Sequence, residues 1–464
     1  MRPLDVAQAV AAVAVGVRLA RGRRRLPPLA PVPRSWAGPF VSVVVPARNE
    51  EGRIGPCLSA ILADPAAGEV IVVDDQSSDG TAKLAAEMGA RVVAGRPPPD
   101  GWVGKQWALH QGVEAASGEI IVTLDADTRP KPGLLEALVT ALCHPDGERH
   151  PDGERHLDGE RHSAARHGSG HESAGHESAG HESAGHESAG HESAGHESAG
   201  HESAGHESAG HKGAGHGGSR RYDLVSAGPR FICDGPLEQA LHASFLATLV
   251  YRFGPIGPAT PPAAHRVVAN GQCMAFRREA MRAAGGFARI RGHMTDDVAL
   301  ARTLAASGWV VGFLDAGGLL EVDMHESVTG VWREWGRSLP LRDVTGPAWQ
   351  AADLAVVWLT AALPVLRLVA GRPTRLDLGL ITLRTLLGSA LRGSYTRPGI
   401  GVLLSPLLDP ATAVRLTQAT LRPVRTWRSR TYPHVSGGHS EIMSGRPQVA
   451  SGARPAPPAR NAAR

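Results

Sequence analysis

The chain has only four cysteines, Cys57, Cys143, Cys233 and Cys273, and no two of them form a Cys-x-x-Cys pair. That spacing excludes a zinc ribbon and a disulfide framework, and free thiols in a reducing compartment are the expected state. Charge is also scarce: 20% of the 464 residues are Asp, Glu, Lys or Arg, and the formal net charge is +4. This is too little for a dedicated nucleic-acid binder, so no nucleic-acid partner is expected. No apolar run reaches the roughly 20 uninterrupted residues of a standard membrane span. Glycine and proline are plentiful, 56 and 35, yet they follow no three-residue period, which excludes collagen. With 42% hydrophobic residues, a wholly disordered chain is excluded as well.

What is present divides into six stretches. In residues 1–39 an apolar run from Val6 to Ala20, broken by Gln8 and Arg18, leads into Arg21, Arg23, Arg24 and Arg25 and then a proline-rich linker. It reads as a short membrane anchor or as an amphipathic helix lying in the interface. If it spans, the positive-inside bias leaves the arginines, and the chain after them, on the cytoplasmic face of the cell membrane. Residues 40–143 alternate strands and helices. FVSVVVP (40–46), EVIVVDD (69–75) and EIIVTLDAD (119–127) are continuous apolar strands of the kind buried on both faces of a sheet, and amphipathic segments near 54–63, 81–88 and 107–116 separate them. This is the βαβαβ order of a doubly wound nucleotide-binding sheet.

Residues 144–221 are three xDGERH hexads followed by eight copies of HESAG. Lacking apolar area to offset ordering entropy, the block is expected to be a disordered surface loop. Fifteen of the 22 histidines lie there, so metal buffering is the alternative reading. Ordered sequence resumes over residues 222–347. Residues 348–420 hold three apolar stretches, 351–370, 376–391 and 400–416, each interrupted by a charge. They read as weak spans or as helices in the interface. The tail, 421–464, is Arg, Pro, Ser and Gly rich and expected to be disordered, with a basic charge suited to an anionic leaflet.

Carboxylates end two of the strands: Asp74 and Asp75 on one, Asp125 and Asp127 on the next. Open α/β sheets bind ligands at that edge. Each aspartate taken singly could do no more than cap a turn. Four on one rim would repel without a cation or ligand donors, and an Asp-x-Asp pair suits a hard divalent ion that keeps positions open for phosphate oxygens.

The motifs VSVVVPARNEE, VVDDQSSDGT, GWVGKQWALHQG, LDAD, NGQCMAFRREA and TDDVALA occur in this order, and over residues 40–340 the chain resembles the inverting glycosyltransferases of family 2. The resemblance implies an α/β fold of GT-A type, a mixed nucleotide-binding sheet with helices on both faces, flanked by membrane-associated helices. It implies that Pro46, Ala47, Asn49 and Glu50 border a UDP-sugar, that Asp75 bonds the uracil, and that Lys105 lies near the diphosphate. Asp125 and Asp127 would hold Mg2+ or Mn2+, with Asp125 also near the donor. Asp297 would be the general base, next to Asp296. Gln272, Trp332, Arg333, Trp335 and Arg337 are candidates for the diphosphate or the acceptor, although an amphipathic interface helix explains the last four equally well. The GWVGKQWA segment and the apolar flanks are similar to the subgroup that glycosylates carotenoid acids and related polyprenoid lipids, so the implied partners are a UDP-sugar, an apolar lipid acceptor and the membrane. Two departures stand out. Asp296-Asp297 replaces the Glu-Asp of many relatives, and GVWREWGRS lacks the Gln-x-x-Arg-Trp signature of processive synthases, which favours transfer of a single sugar.

Overall fold

Apolar side chains on both faces of a strand need cover on both sides, and the main sheet is built that way. The computed structural model describes residues 2–31, 38–143, 222–323 and 327–422, with the backbone of 426–427 and 430–431. The repeat block and the end of the tail, for which disorder was expected, lie outside the described residues.

The chain opens with helix α1 (Pro3–Ala20) and enters the sheet through β1 (Val41–Ala47), α2 (Ile54–Leu62), β2 (Ala67–Asp74), α3 (Thr81–Glu87), β3 (Arg91–Ala94), α4 (Gly104–Ala115) and β4 (Ile120–Leu124). Then come β5 (Thr128–Pro130), α5 (Leu134–Cys143), β6 (Leu224–Gly228), β7 (Arg230–Phe231), α6 (Pro236–Phe253), β8 (Cys273–Arg277), α7 (Arg278–Ala283) and α8 (Asp296–Ala306). After β9 (Val311–Asp315) and β10 (Leu320–Val322) the described chain is helical: α9 (Val328–Ser338), α10 (Pro347–Val357), α11 (Leu363–Val369), α12 (Arg375–Leu391), α13 (Ile400–Leu404) and α14 (Asp409–Leu421). The expected strands and amphipathic helices are in place. The short edge strand β3 was not anticipated, and α4 starts three residues before Trp107, which puts Lys105 in its first turn.

The seven-stranded sheet has the order β3-β2-β1-β4-β8-β6-β9, in which β8 runs against β4 and β6. It is the mixed α/β sheet that the resemblance implied. Alternation sorts its side chains: Val43, Val45, Val72 and Val122 pack under α2 and α5, whereas Val44, Ile71, Val73 and Ile121 pack under α4, α7 and α8. Gly112 of α4 marks the closest approach, since a Cβ there would lie 2.3 Å from Val44 Cγ1. A smaller sheet, β5-β10-β7, flanks the first.

Among the described residues three helical stretches are long and apolar enough to cross a membrane: 3–24, 347–369 (α10 and α11 joined by a π-helical turn at Trp358–Ala362) and 400–421. The charges that interrupt the apolar stretches in sequence are turned inward and paired. Arg384 of α12 bonds both oxygens of Asp409, at 2.8 and 2.9 Å, and Asp353 of α10 meets Arg252 and Arg266 at 3.3 and 3.1 Å. Asp377 accepts from Gln8 of α1 at 2.7 Å and caps α12 through Thr374. The outer surface keeps the apolar side chains, among them Val6, Val10, Val13 and Val17 of α1 and Leu386 of α12. Hidden charges of this kind glue helices together where water is scarce.

Candidate active site

The chain leaves β1 toward β2 and β3 and then returns to place β4 on the other side of β1, so a crevice opens at the carboxyl ends of these two strands. The loop leaving β1 is locked to the loop leaving β2. Asn49, in the left-handed region at φ 54°, accepts from the Ser78 N–H at 2.8 Å, and its own N–H donates to Ser77 Oγ at 3.0 Å. The Glu50 N–H donates to Thr81 Oγ1 at 2.8 Å, while the Glu50 carboxylate pairs with Arg53 at 2.7 Å. Asp75 is buried; its N–H donates to the Ala47 carbonyl at 2.8 Å and its carboxylate lies 4.0 Å from Arg48. Pro46 and Glu50 line the cavity described next, whereas Ala47, Asn49 and Asp75 do not.

From β4 the chain presents Asp125 and Asp127 to that cavity, and from the first turn of α8 it presents Asp296 and Asp297. Lys105 ties the two sets together. Its ammonium lies 2.8 Å from both oxygens of Asp125 and 3.9 Å from Asp296, and although burial opposes the charge, these carboxylates hold its pKa well above the ordinary lysine value. Burial, and then the neighbouring Asp125, push the Asp127 carboxyl up to about 7, and its Oδ1 is buried without a hydrogen-bond partner. Asp297 is pushed up to about 7 by burial and then by Asp296. The N–H groups of Gly271 and Val298 donate to its two oxygens at 3.0 and 2.8 Å and fix its orientation. A glycine is needed at 271 because a Cβ would stand 3.1 Å from that of Asp297.

A metal would find hard oxygens here, and the orphaned Asp127 Oδ1 is an acceptor still to be satisfied. No group of three or more His, Cys, Asp or Glu side chains is gathered for a metal among the described residues. Of the Asp125–Asp127 pair, Asp127 offers the oxygen an ion could take, while both Asp125 oxygens are held by Lys105.

The other candidates divide. Gln272 is buried on the cavity wall, where its carbonyl accepts from the Asp125 N–H at 2.9 Å and its side chain is held by Asn270. Trp335 of α9 is largely spent on packing, stacked on Phe245 and set edge-on to His242 with centroids 4.6 Å apart. Trp332 lies under the Arg415 guanidinium, and Arg333 is exposed beside Glu334. The side chain of Arg337 lies outside the described residues. One participant was missed by the sequence reading: Asp343, beyond α9, bonds the segment just before Asp296, and nothing in its own neighbourhood signalled this.

The cavity measures about 1180 Å³. Its lining also includes the apolar side chains Leu246, Leu249, Val250 and Phe253 from α6 and Leu387 and Leu391 from α12.

Residues 42–148 match the model of glycosyl transferase family 2, and residues 219–433 match that of glycosyl transferase family 21. The 4,4'-diaponeurosporenoate glycosyltransferase of Staphylococcus haemolyticus (strain JCSC1435) is 39% identical over 89 residues, and that of Staphylococcus aureus (strain USA300) is 43% identical over 88. Each alignment covers 19% of this chain and 24% of the relative, so the chain spans about a quarter of the length of the curated relatives it matches. Among solved structures, a mannosyltransferase from Pyrobaculum calidifontis in complex with GDP-Man and Mn2+ is 18% identical, with 90% of this chain and 98% of that one covered at a TM-score of 0.46. The glucosyl-3-phosphoglycerate synthase of Mycobacterium tuberculosis with Mn2+, UDP-glucose and phosphoglyceric acid is 18% identical, covering 70% and 81% at a TM-score of 0.33. The chain carries a glycosyl transferase family 2 domain, and the named relatives are glycosyltransferases.

Proposed function

We propose that the chain is a membrane-associated glycosyltransferase that moves a single sugar, glucose from UDP-glucose, with inversion onto an apolar lipid, a carotenoid acid such as diaponeurosporenoate. The observation that carries this reading is one cavity lined both by four aspartates with Lys105 and by apolar side chains of α6 and α12. The sheet rim of residues 40–143 binds the donor, with Pro46, Ala47, Asn49 and Glu50 along the nucleotide and Asp75 on the uracil. Residues 222–347 supply the acceptor side. Asp125 and Asp127 would hold Mg2+ or Mn2+, which when bound supplies positive charge against the departing diphosphate. Lys105 adds fixed positive charge at the same place. A carotenoid acid arrives already ionised, so Asp297 orients it or the sugar, whereas from a hydroxyl acceptor Asp297 would take the proton; in either case one in-line displacement inverts the anomeric carbon.

Three helical stretches long and apolar enough to cross a membrane support a cavity working at a bilayer, and the positive-inside bias of the arginines after α1 favours the cytoplasmic side. A polyprenyl phosphate acceptor is the second reading. It shares the anionic headgroup that Arg21, Arg25, Arg230 and Arg415, all on the cavity lining, would attract, whereas a neutral hopanoid or ceramide headgroup would not. A histidine-rich metal-binding protein on an inert scaffold would have no need of carboxylates gathered in one cavity. The test is to incubate membranes holding the protein with labelled UDP-sugars and weigh the labelled lipid. A glycosyl ester of a carotenoid acid is expected; label found only in a polymer, or in no lipid, would refute the reading.

A further inference from the structure

Asp343 lies in the loop between α9 and α10, 46 positions beyond Asp297 in sequence, yet its carboxylate grips the irregular turn that leads into α8. Oδ2 accepts the N–H groups of Met294 and Thr295 at 2.7 and 3.1 Å, and Oδ1 accepts the Thr295 hydroxyl at 2.7 Å. The His293 ring is 3.7 Å away, and the His293 carbonyl is held in turn by the Gln106 amide, one residue from Lys105. Burial works against the charge, but the His293 ring and the Thr295 donors pull the Asp343 carboxyl down to about 2.

The loop that carries Asp343 is itself over-determined. Arg252 of α6 donates to the Leu339 carbonyl at 2.6 Å, Arg302 of α8 donates to the Val344 carbonyl at 2.6 Å, and Arg342 reaches the Thr420 carbonyl of α14 at 2.7 Å. Leu341 sits at φ 48°, a conformation an L side chain adopts only where its surroundings impose it, and its side chain is buried against the core beneath α8.

We propose that Asp343 is a positioning residue for Asp296 and Asp297, and that loop 339–345 transmits the placement of the helices outside the sheet to the base. The proposal rests on the glycosyltransferase reading. Three bonds to residues 294 and 295 set where the first turn of α8 begins, and a misplacement of about 1 Å there costs on the order of a hundredfold in a step that depends on geometry. Donor contacts on the β1 and β4 side are left alone.

The experiment compares Asp343→Ala, Asp343→Asn and Thr295→Val in the full chain. Asp343→Ala should lower kcat at least about tenfold with the donor KM within about threefold. Asp343→Asn should keep at least about a third of kcat, because its amide oxygen can still accept both main-chain N–H groups. Thr295→Val, which loses one bond of three, should fall between. Wild-type kcat in Asp343→Ala, or an Asn variant as damaged as the Ala variant, overturns the proposal. So does a parallel loss of kcat, donor affinity and thermal midpoint. Amide hydrogen exchange over residues 293–298, measured without substrates, is the arm that does not depend on the reaction. Faster exchange in Asp343→Ala is expected, and unchanged exchange overturns the proposal even if the wild type transfers no sugar, an outcome that would sink the functional reading instead.

Discussion

Asp297 and Asp127 are both raised to about 7, so the acidic limb of the pH profile carries both, and the part that moves in Asp296→Asn reports on Asp297. Burial and the Asp296 charge push its carboxyl up to about 7. A base must be ionised to work. At pH 6 about a tenth of Asp297 would be ionised and at pH 8 about nine-tenths, so transfer to a hydroxyl-bearing lipid should rise about ninefold across that interval. Asp296→Asn removes the like charge while keeping a side chain of nearly the same shape. If the pKa of Asp297 falls by about one unit, about half is ionised at pH 6, and the variant should reach about half of its own plateau there. A carboxylic acid acceptor changes the expectation, because with a pKa of about 4 it is already ionised at neutral pH and surrenders no proton. Its profile should keep only the limb that Asp127 contributes, unmoved in Asp296→Asn, and Asp297→Asn should cost it distinctly less than the hundredfold or so expected on a hydroxyl. The assay is initial-rate transfer from labelled UDP-sugar between pH 5.5 and 9 with both lipids and all three proteins. An unmoved limb in Asp296→Asn, or equal and severe losses on both acceptors in Asp297→Asn, would refute proton abstraction as the role of Asp297.

Asp127→Ala should abolish both divalent-ion binding, followed by calorimetry on the purified protein, and turnover; full activity of this variant under excess chelator would remove the ion from the site. Replacing residues 145–218 with a short Gly/Ser linker should leave transfer within about twofold, because the sheet elements on either side close on the core without the repeats; loss of transfer in a folded variant would give the repeats a role. Asp353→Leu leaves Arg252 and Arg266 without their shared carboxylate and should cost about 3 to 5 kcal/mol, read as a lowered thermal midpoint in detergent, and an unchanged midpoint would show that the ion cluster contributes nothing.

Much of the sheet was legible because its signal is local. A run such as Val41 to Val45 has no polar face to expose, so it had to be covered on both sides, and the turns after it carry the aspartates to one edge. Asp125 and Asp127 stood out for the same reason, directly after a strongly patterned strand, whereas Asp296 and Asp297 entered only through the family resemblance. The roles of Arg384 and Asp409 were not. In sequence each is a charge that spoils an apolar stretch, and only their meeting across 25 positions turns two apparent defects into one buried pair. Trp335 fits both of its sequence readings, since it lines the cavity and also packs against its neighbours. Tryptophan beside arginine suggests a ligand surface, but an aromatic ring this large also fills the gap between Phe245 and His242, and pattern alone does not distinguish the two. Asp343 has neither periodicity nor a motif around it, so its bond to Thr295 is a fact of tertiary structure only.

The insertion of 78 residues between α5 and β6 is compatible with an intact site for a reason that chain entropy makes quantitative. Each doubling of a loop adds about 0.6 kcal/mol to its closure, so three doublings, from about ten residues to about eighty, cost on the order of 2 kcal/mol. Against this stand the anchors at either end. Leu138 and Leu142 of α5 and Leu224 of β6 are wholly buried, and the Arg277 guanidinium donates to the Leu142 carbonyl at 2.7 Å. Burying a single leucine contributes about 1.5 to 3 kcal/mol, so two or three such side chains already outweigh the added loop entropy. The two halves of the site are then registered by pairing across the sheet and not by the chain that joins them: β8 lies against β4, and the Gln272 carbonyl accepts the Asp125 N–H at 2.9 Å. Gly271, the neighbour of Gln272, donates to Asp297, so Asp125 and Asp297 are held two hydrogen bonds apart through the segment that enters β8, whatever the length of the connection between α5 and β6.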